Sequence, residues 1–522
     1  MHISSMRQAF QAVPTPAQRT RTTLLADNLQ AWSARWKLLE SAQESINAQY
    51  YAWDHDIFGK AQLGHIYLRA RQGAEVKVMV DAVGDTFGQR GFKSHRSGQD
   101  YLQELVALPN AEAKVYHPHY KKLASALLHP TGFQGLAANH DKILEVDGRA
   151  GTTGGRNTGY QYFTHPADDP AAWRDCDVLL QGEGAALELR DAFHQEFDKV
   201  LINHRVHPDL LGNWRKRDIE LLGAYSLMDQ WLKAPVLSAE AKDKLRHSPE
   251  EKQKMAEQLV ARAVSNLPDL GVERKPRQRE REALLKMALE VVAYPEMRGS
   301  YYDEQQPAFE SEVKIIDKTS AVGSGLDEMN PSLLSLIESS QHKINLQTPY
   351  YVLTDPVIDA LQEAGERGVD IRINTNSPSN TDSYFTQAFF LNDWEKSLRT
   401  IPNLTLMAAT GERKHHAKMG TFDEEVSFVG TYNLDLVSAR VNGEVGAIVY
   451  GADFAREVNG AMDKDLADPT VGYKQYSVGG FGPEDHVAPE VLQSYEKRIS
   501  RWNWARQHLP QLKSVRRFAG KE

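Results

Sequence analysis

Two stretches of the chain carry one five-position pattern in the same register, and that repeat limits what the chain can fold into. Counting from His140, Lys stands at +2 (Lys142), Asp at +7 (Asp147), Gly at +14 (Gly154) and Asn at +17 (Asn157). Counting from His416, the same residue types recur at the same offsets as Lys418, Asp423, Gly430 and Asn433. A single His-x-Lys pair is uninformative. Five matched positions arise by chance on the order of once in ten thousand sequences, and two in-register copies far less often. The chain therefore contains two similar structural units, one in each half.

The stretches upstream of each copy indicate what the unit is. Ser45 to Tyr51 alternates as a buried strand does, a helical stretch closes at Arg71-Gln72-Gly73, and Glu75 to Asp81 reads as a second strand. The same order returns with Lys343 to Tyr351 as strand, Val357 to Gly368 as helix and Val369 to Thr375 as strand. Gly73 and Gly368 stand just past their helices, where a left-handed cap favours glycine. Strand–helix–strand units of this spacing make right-handed crossovers in a parallel or mixed sheet. The expected fold class is α/β, with two pseudo-symmetric layered lobes. A chain of 522 residues is long enough for both and for something between them.

The repeated residues suit work on a phosphate diester. Residues two apart in a strand share a face, so each His and its Lys point the same way, about 6–7 Å apart along the backbone. Bringing two such strands together gathers two imidazoles and two ammonium groups in one small volume. Lys142, Lys418, Asn157 and Asn433 can hold non-bridging oxygens. One imidazole can attack phosphorus while the other protonates the leaving oxygen.

These residues resemble the phospholipase D superfamily, whose signature is a duplicated HxKxxxxD followed by G-[GST]-x-N. Within it the resemblance points to the bacterial cardiolipin synthases of the C type. It is carried by Gly154 to Phe163, Gln347 to Tyr351, Thr375-Asn376-Ser377 with Thr381-Asp382, and Gly430 to Asp435 leading to Ser438-Ala439-Arg440. It covers about residues 35–200 and 310–460. The resemblance implies two α-β-α sandwich lobes with the site at their interface, no metal and no other cofactor, and a phosphohistidine intermediate. It implies a phosphatidyltransferase acting on phospholipids, with phosphatidylglycerol as substrate and phosphatidylethanolamine as a second candidate. It also implies peripheral attachment to the bacterial cytoplasmic membrane, on a face left open. By the same resemblance His140 is the nucleophile and His416 the acid.

A nucleophilic His needs its far nitrogen held by an acceptor. Glu444 heads the alternating stretch Glu444 to Tyr450, and Asp175 precedes a matching stretch in the first half. Each lies seven residues before a glycine, Gly451 and Gly182, so the two are matched as orienting acids, with Asp177 as rival to Asp175. Glu444 shares its half with His416, which argues for the reverse assignment of nucleophile. Asp147 and Asp423 are expected to close their strands rather than touch substrate. His415 has no spaced carboxylate or Cys set that would suit a metal. His117 and His119 read as loop residues.

The division expected along the chain is a first lobe over 1–204, a helical insert over 205–305 and a second lobe over 306–522. Helical patterning in the insert runs through Leu221, Leu222, Tyr225, Met228 and Leu232, then Lys242 to Val264, then Glu282 to Tyr294. Two basic clusters, Arg215-Lys216-Arg217 and Arg274 to Arg281, could rest on anionic headgroups or be plain surface. The same holds for a tail with Trp502, Trp504, Arg506, Lys513, Arg516, Arg517, Phe518 and Lys521. The net charge of −9 speaks against a global grip on nucleic acid and lowers the rival reading, a nucleic-acid phosphodiesterase. Two complete motifs argue against a non-catalytic lipid-binding protein. The single cysteine, Cys176, allows no internal disulfide. No apolar run reaches transmembrane length, and the first residues lack the apolar core of a signal peptide.

Overall fold

The structure, a computed structural model, describes residues 5–87, 101–128, 134–208, 217–303 and 306–508. Its strands in the first half are β1 (Gln18–Leu25), β2 (Ser45–Tyr50), β3 (Glu75–Asp81), β4 (Ala111–Tyr116), β5 (Ile143–Val146), β6 (Ala150–Gly154), β7 (Asp177–Gln181) and β8 (His204–Arg205). In the second half they are β9 (Ala308–Lys318), β10 (Lys343–Gln347), β11 (Asp370–Asn376), β12 (Leu404–Ala409), β13 (Met419–Phe422), β14 (Val426–Gly430), β15 (Glu444–Tyr450) and β16 (Tyr473–Tyr476). The two lobes do not have separate sheets. All sixteen strands form one sheet in the order β16-β12-β11-β10-β13-β14-β15-β9-β1-β7-β6-β5-β2-β3-β4-β8. Read outward from the centre, both halves follow the same strand order, so the sequence repeat appears as a pseudo-twofold axis between β1 and β9. Those two strands pair antiparallel, with Gln18 opposite Val313 and Thr23 opposite Ala308.

The expected strand–helix–strand units are present in both halves. β2 runs parallel to β3 and β10 parallel to β11, joined by helices Ile57–Arg71 and Asp355–Glu366. Gly73 and Gly368 have φ of 109° and 91°, so both helices end in the left-handed region where a Cβ is strained. Alternate strand residues serve opposite layers. In β5, Leu144 joins the core under the Asn28–Ser41 helix, and Ile143 joins the core on the other face. That second core is common to both lobes. It contains Leu189 and Phe193 of the Glu183–Phe197 helix and Phe454 and Val458 of the Ala452–Ala467 helix.

Two segments pack where their position in the chain does not suggest. The Met6–Ala12 helix buries Met6, Ala9 and Phe10 in the core of the second lobe, and Arg7 pairs with Glu312 of β9. The helices of the insert add Leu221, Leu227, Trp231, Leu284 and Met287 to the core of the first lobe. The periodic stretch Lys242 to Val264 is two helices, Ala239–His247 and Pro249–Asn266. Ser248 caps the second and Pro249 opens it, and a proline tolerated at the first turn cannot continue the preceding helix. Of the basic clusters, Arg217 is paired with Glu220, and Arg274 with Asp218 and Glu280. Arg215 and Lys216 lie outside the described residues, as do Lys513, Arg516, Arg517, Phe518 and Lys521; Trp502, Trp504 and Arg506 are described only as backbone of the Pro489–His508 helix. Among the described residues no helix is long and apolar enough to cross a membrane.

Candidate active site

β2 and β3 run parallel and end on one edge of the sheet, and β5 begins there, since Gln49 pairs with Ile143. The extended segment entering β5 carries His140 and Lys142, and the one entering β13 carries His416 and Lys418. Each is held across the interface by backbone. Asn139 bridges Gly443, and the His140 N–H donates to the Gly443 carbonyl at 3.0 Å. His415 bridges Arg174, and the His416 N–H donates to the Arg174 carbonyl at 2.7 Å.

Gly443 and Arg174 immediately precede the two orienting acids, which decides the pairing. Nδ1 of His140 lies 3.0 Å from Oε2 of Glu444, and Nδ1 of His416 lies 2.7 Å from Oδ2 of Asp175. Each imidazole is thus backed by the carboxylate of the opposite half. The expectation that Glu444 serves His416 in its own half is incorrect. In the first half β7 lies two strands from β5, and β15 lies two strands from β13 in the second, whereas the interface bridges set each acid beside the other half's His. Asp177 is not an orienting acid, because it takes hydrogen bonds from Arg35 and Arg156 at 3.1 and 2.9 Å in the core.

The acids are themselves held. Thr431 and Ser438 hydroxyls each donate to Glu444 at 2.6 Å, and the Cys176 N–H donates to Asp175 at 2.7 Å. Burial alone would push the Asp175 carboxyl up, but His416, Lys418 and Arg156 together hold it well below the usual carboxylate range. Burial acts against Glu444 in the same way, and His140 and Lys142 overcome it, so it too is lowered. Both orienting groups are therefore anions.

The bases move the other way. Burial pushes His140 down to about 4 in spite of Glu444. His416 is lowered by burial and then by Lys418. Burial, reinforced by Lys418, brings Lys142 down to about 7, and burial brings Lys418 to about 8. Lys142 donates to its own His140 carbonyl at 2.6 Å. Lys418 Nζ lies 3.0 and 3.1 Å from the two ring nitrogens of His416. Four buried groups that gain from a negative partner surround one small space, as a site for an anion requires.

The asparagines occupy the same neighbourhood with internal partners of their own. Asn157 accepts from the Ala52 N–H at 3.0 Å and donates to the Tyr162 hydroxyl at 2.9 Å. The Asn433 N–H donates to Ser438, and its side-chain oxygen is buried without a partner. Asp147 accepts the N–H groups of Gln43, Glu44 and Ser45 at 2.7–2.9 Å, and Asp423 those of Gln341, His342 and Lys343 at 2.8–2.9 Å. Both tie the start of β2 or β10 to the far end of the motif strand. His415 is buried with neither ring nitrogen bonded. His117 is also buried, its ring bonded to the Ala137 carbonyl and to Ser125. Among the described residues no group of three or more His, Cys, Asp or Glu could hold a metal ion.

Sequence reasoning named none of the aromatic residues as part of the site. Tyr51 stands edge-on to His140 at 5.1 Å between ring centroids, and Tyr162 and Trp173 lie 5.7 and 5.1 Å from His416. The doubled tyrosine at the end of the first strand was the available signal for Tyr51. Thr431 and Ser438 lie within motif stretches, but spacing alone does not assign a hydroxyl to a carboxylate.

Several known proteins resemble this chain along most of its length. A family model described as cardiolipin synthase, PLD-like domain, matches residues 333–466. Cardiolipin synthase C of Escherichia coli (strain K12) is 22% identical over 499 residues, covering 92% of this chain and 92% of its own length. Cardiolipin synthase 1 of Bacillus anthracis is 23% identical over 504 residues, covering 96% of this chain and 76% of its own. Among solved structures, phosphatidylserine synthase of Haemophilus influenzae Rd KW20 shares the fold, with a TM-score of 0.58 at 14% identity over 96% of this chain and 99% of that one.

Proposed function

We propose, from its likeness to cardiolipin synthases along most of its length, that the chain is a phospholipase D-type cardiolipin synthase working through a covalent phosphatidyl-histidine. The observation that carries the chemistry is the crossed pair of His–carboxylate contacts, flanked by two lysines, in one buried space. His140 is the nucleophile. Among the described residues no group is hydrogen-bonded to its Nε2, while Lys418 lies against the corresponding nitrogen of His416. Glu444 holds Nδ1 of His140, which leaves Nε2 to attack.

In the first step His140 Nε2 attacks the phosphorus of one phosphatidylglycerol. The phosphorus–oxygen bond to glycerol breaks, and His416 delivers a proton to the departing oxygen. The phosphodiester anion between the lysines favours that proton on His416, countering the ammonium beside it. In the second step His416 takes the proton of a hydroxyl on a second phosphatidylglycerol, that oxygen attacks phosphorus, and His140 is released. Two phosphatidylglycerols thus give cardiolipin and glycerol. Lys142, Lys418, Asn157 and Asn433 hold the non-bridging oxygens. The rings of Tyr51, Tyr162 and Trp173 wall the imidazoles from water, which favours transfer over hydrolysis.

Mass analysis of products from phosphatidylglycerol vesicles tests the proposal, with cardiolipin and glycerol expected in equal amounts. Phosphatidic acid as the main product would make the chain a hydrolase. Cleaved nucleic acid without any lipid product would make it a phosphodiesterase of the rival kind.

The pH profile is a second test. His140 must be neutral while His416 and both lysines carry their protons, so kcat/KM should be highest at acid pH above the His140 value of about 4 and should decline toward neutrality as His416, lowered by burial, loses its proton. It should fall further around and above pH 7 as Lys142 and then Lys418 lose theirs. Stability should move the opposite way in that window. The folded-state values of both lysines lie below their ordinary value of 10.5, so the unfolded chain binds more protons there and folding strengthens as pH rises. A kcat/KM that climbs between pH 7 and 9 would exclude charged lysines as the phosphate holders.

A further inference from the structure

The His119–Leu128 helix has its polarity inverted. A surface helix normally buries its apolar stripe and turns its lysines to water. Here Lys122 is buried and donates to the Ala137 carbonyl, while Leu123, Leu127 and Leu128 expose 65%, 74% and 76% of their surface. Leu136, just past the helix, exposes 66%. A neighbouring turn adds Val200 and Leu201 at 78% and 91%, and Lys121 ties it to the helix by donating to the Asn203 carbonyl at 2.5 Å. These are most of the large exposed apolar residues of the described surface, gathered in one place.

The helix is fixed to the active site. His117 and Lys122 both bond the Ala137 carbonyl, Asp81 accepts the Asn139 N–H at 2.8 Å, and His140 follows directly. The helix therefore sits on the same edge of the sheet as the imidazoles. The charge beside it is mainly basic. From Ala113 to His140 the sequence holds no Asp or Glu, Lys121 bridges the helix and the turn, and Lys199 precedes Val200, while Asp198 of the same turn is engaged by His194.

We propose that this face is where the protein docks on a lipid bilayer. The leucines of the His119–Leu128 helix and the Val200–Leu201 turn enter the headgroup region, and the basic rim meets anionic lipid. The docking rests on the proposed function in one respect: a diester held in a bilayer reaches a buried His pair only if the site's edge faces the membrane. It extends that reading by assigning the contact to particular residues, none of them in the basic insert or the C-terminal tail.

The test uses the full chain and vesicles of phosphatidylglycerol and phosphatidylcholine in equal parts. Substituting Leu123→Glu, Leu127→Glu and Leu128→Glu together should weaken cosedimentation at least tenfold. Turnover of vesicle phosphatidylglycerol should fall in parallel. Turnover of a soluble p-nitrophenyl phosphodiester should stay within twofold, which also shows that the variant is folded. Cys176 is buried, so Leu127→Cys can be labelled selectively with a polarity-sensitive dye, whose emission should shift to the blue on adding vesicles. Unchanged cosedimentation of the triple variant, or an unshifted dye, overturns the proposal. So does a wild-type dimer that the triple variant converts to monomer in sedimentation velocity, because the face would then be a subunit contact. If neither protein turns over any phosphodiester, the catalytic reading fails, and the vesicle measurements still decide the docking.

Discussion

Replacing His140 with asparagine should abolish both the p-nitrophenol burst from a p-nitrophenyl phosphodiester and phosphorus labelling of the protein. The loss of steady-state turnover should be on the order of 10⁴-fold or more, as for removal of a covalent nucleophile. His416→Asn should behave differently with the same ester. Nitrophenolate leaves without a proton, so up to one equivalent should still be released, after which the reaction stalls because no base activates the incoming alcohol. The trapped label should be acid-labile and base-stable, as a phosphoramidate is. Exchanged outcomes would reverse the assignment of nucleophile and acid. A normal burst from both variants would exclude histidine-based covalent catalysis.

The crossed carboxylates give the second large effect. Glu444→Gln should cut the burst rate by about 10³–10⁴-fold, because an amide can donate to Nδ1 and force the proton onto the attacking nitrogen. Asp175→Asn should leave most of the burst intact and slow the later transfer to alcohol, because its partner is the acid–base His416. Pairing within each half would give the reverse pattern, with Glu444→Gln sparing the burst. The two conservative variants therefore test the interface geometry as well as the chemistry.

How much of this was legible in the sequence depended on range. The repeat singles out His140, Lys142, His416 and Lys418, which the structure brings to the interface, because spacing along an extended segment is local. The glycine caps and the strands β2, β3, β10 and β11 follow from local periodicity. Asp147 and Asp423 close their strands, but the backbone they bond, at Glu44 and His342, lies 103 and 81 residues away and not in the local turn. The pairing of Glu444 with His140 is not local. It depends on β1 and β9 joining two lobes into one sheet, and nothing in the spacing of either strand announces its partner. Matching each acid to the His of its own half was the natural inference from a repeat, and the interface overrides it. The apolar helix was missed for another reason. The basic clusters of the insert and the tail carry the membrane signal in the sequence, whereas in this helix Lys122 points inward and the leucines face out, and periodicity cannot say which side of a helix is covered.

The central pairing of β1 with β9 also bears on how the chain is made. β1 gains its neighbour β7 once Gln181 has been synthesised, but its other neighbour ends at Lys318. At typical rates of translation the nascent first lobe carries an open sheet edge for about 10–30 s. An unpaired edge is a template for joining another chain, and charge on that edge discourages it. Arg19 and Arg21, both exposed in the finished protein, alternate along this strand. On the ribosome they would serve as gatekeepers, keeping neighbouring nascent chains apart until β9 arrives.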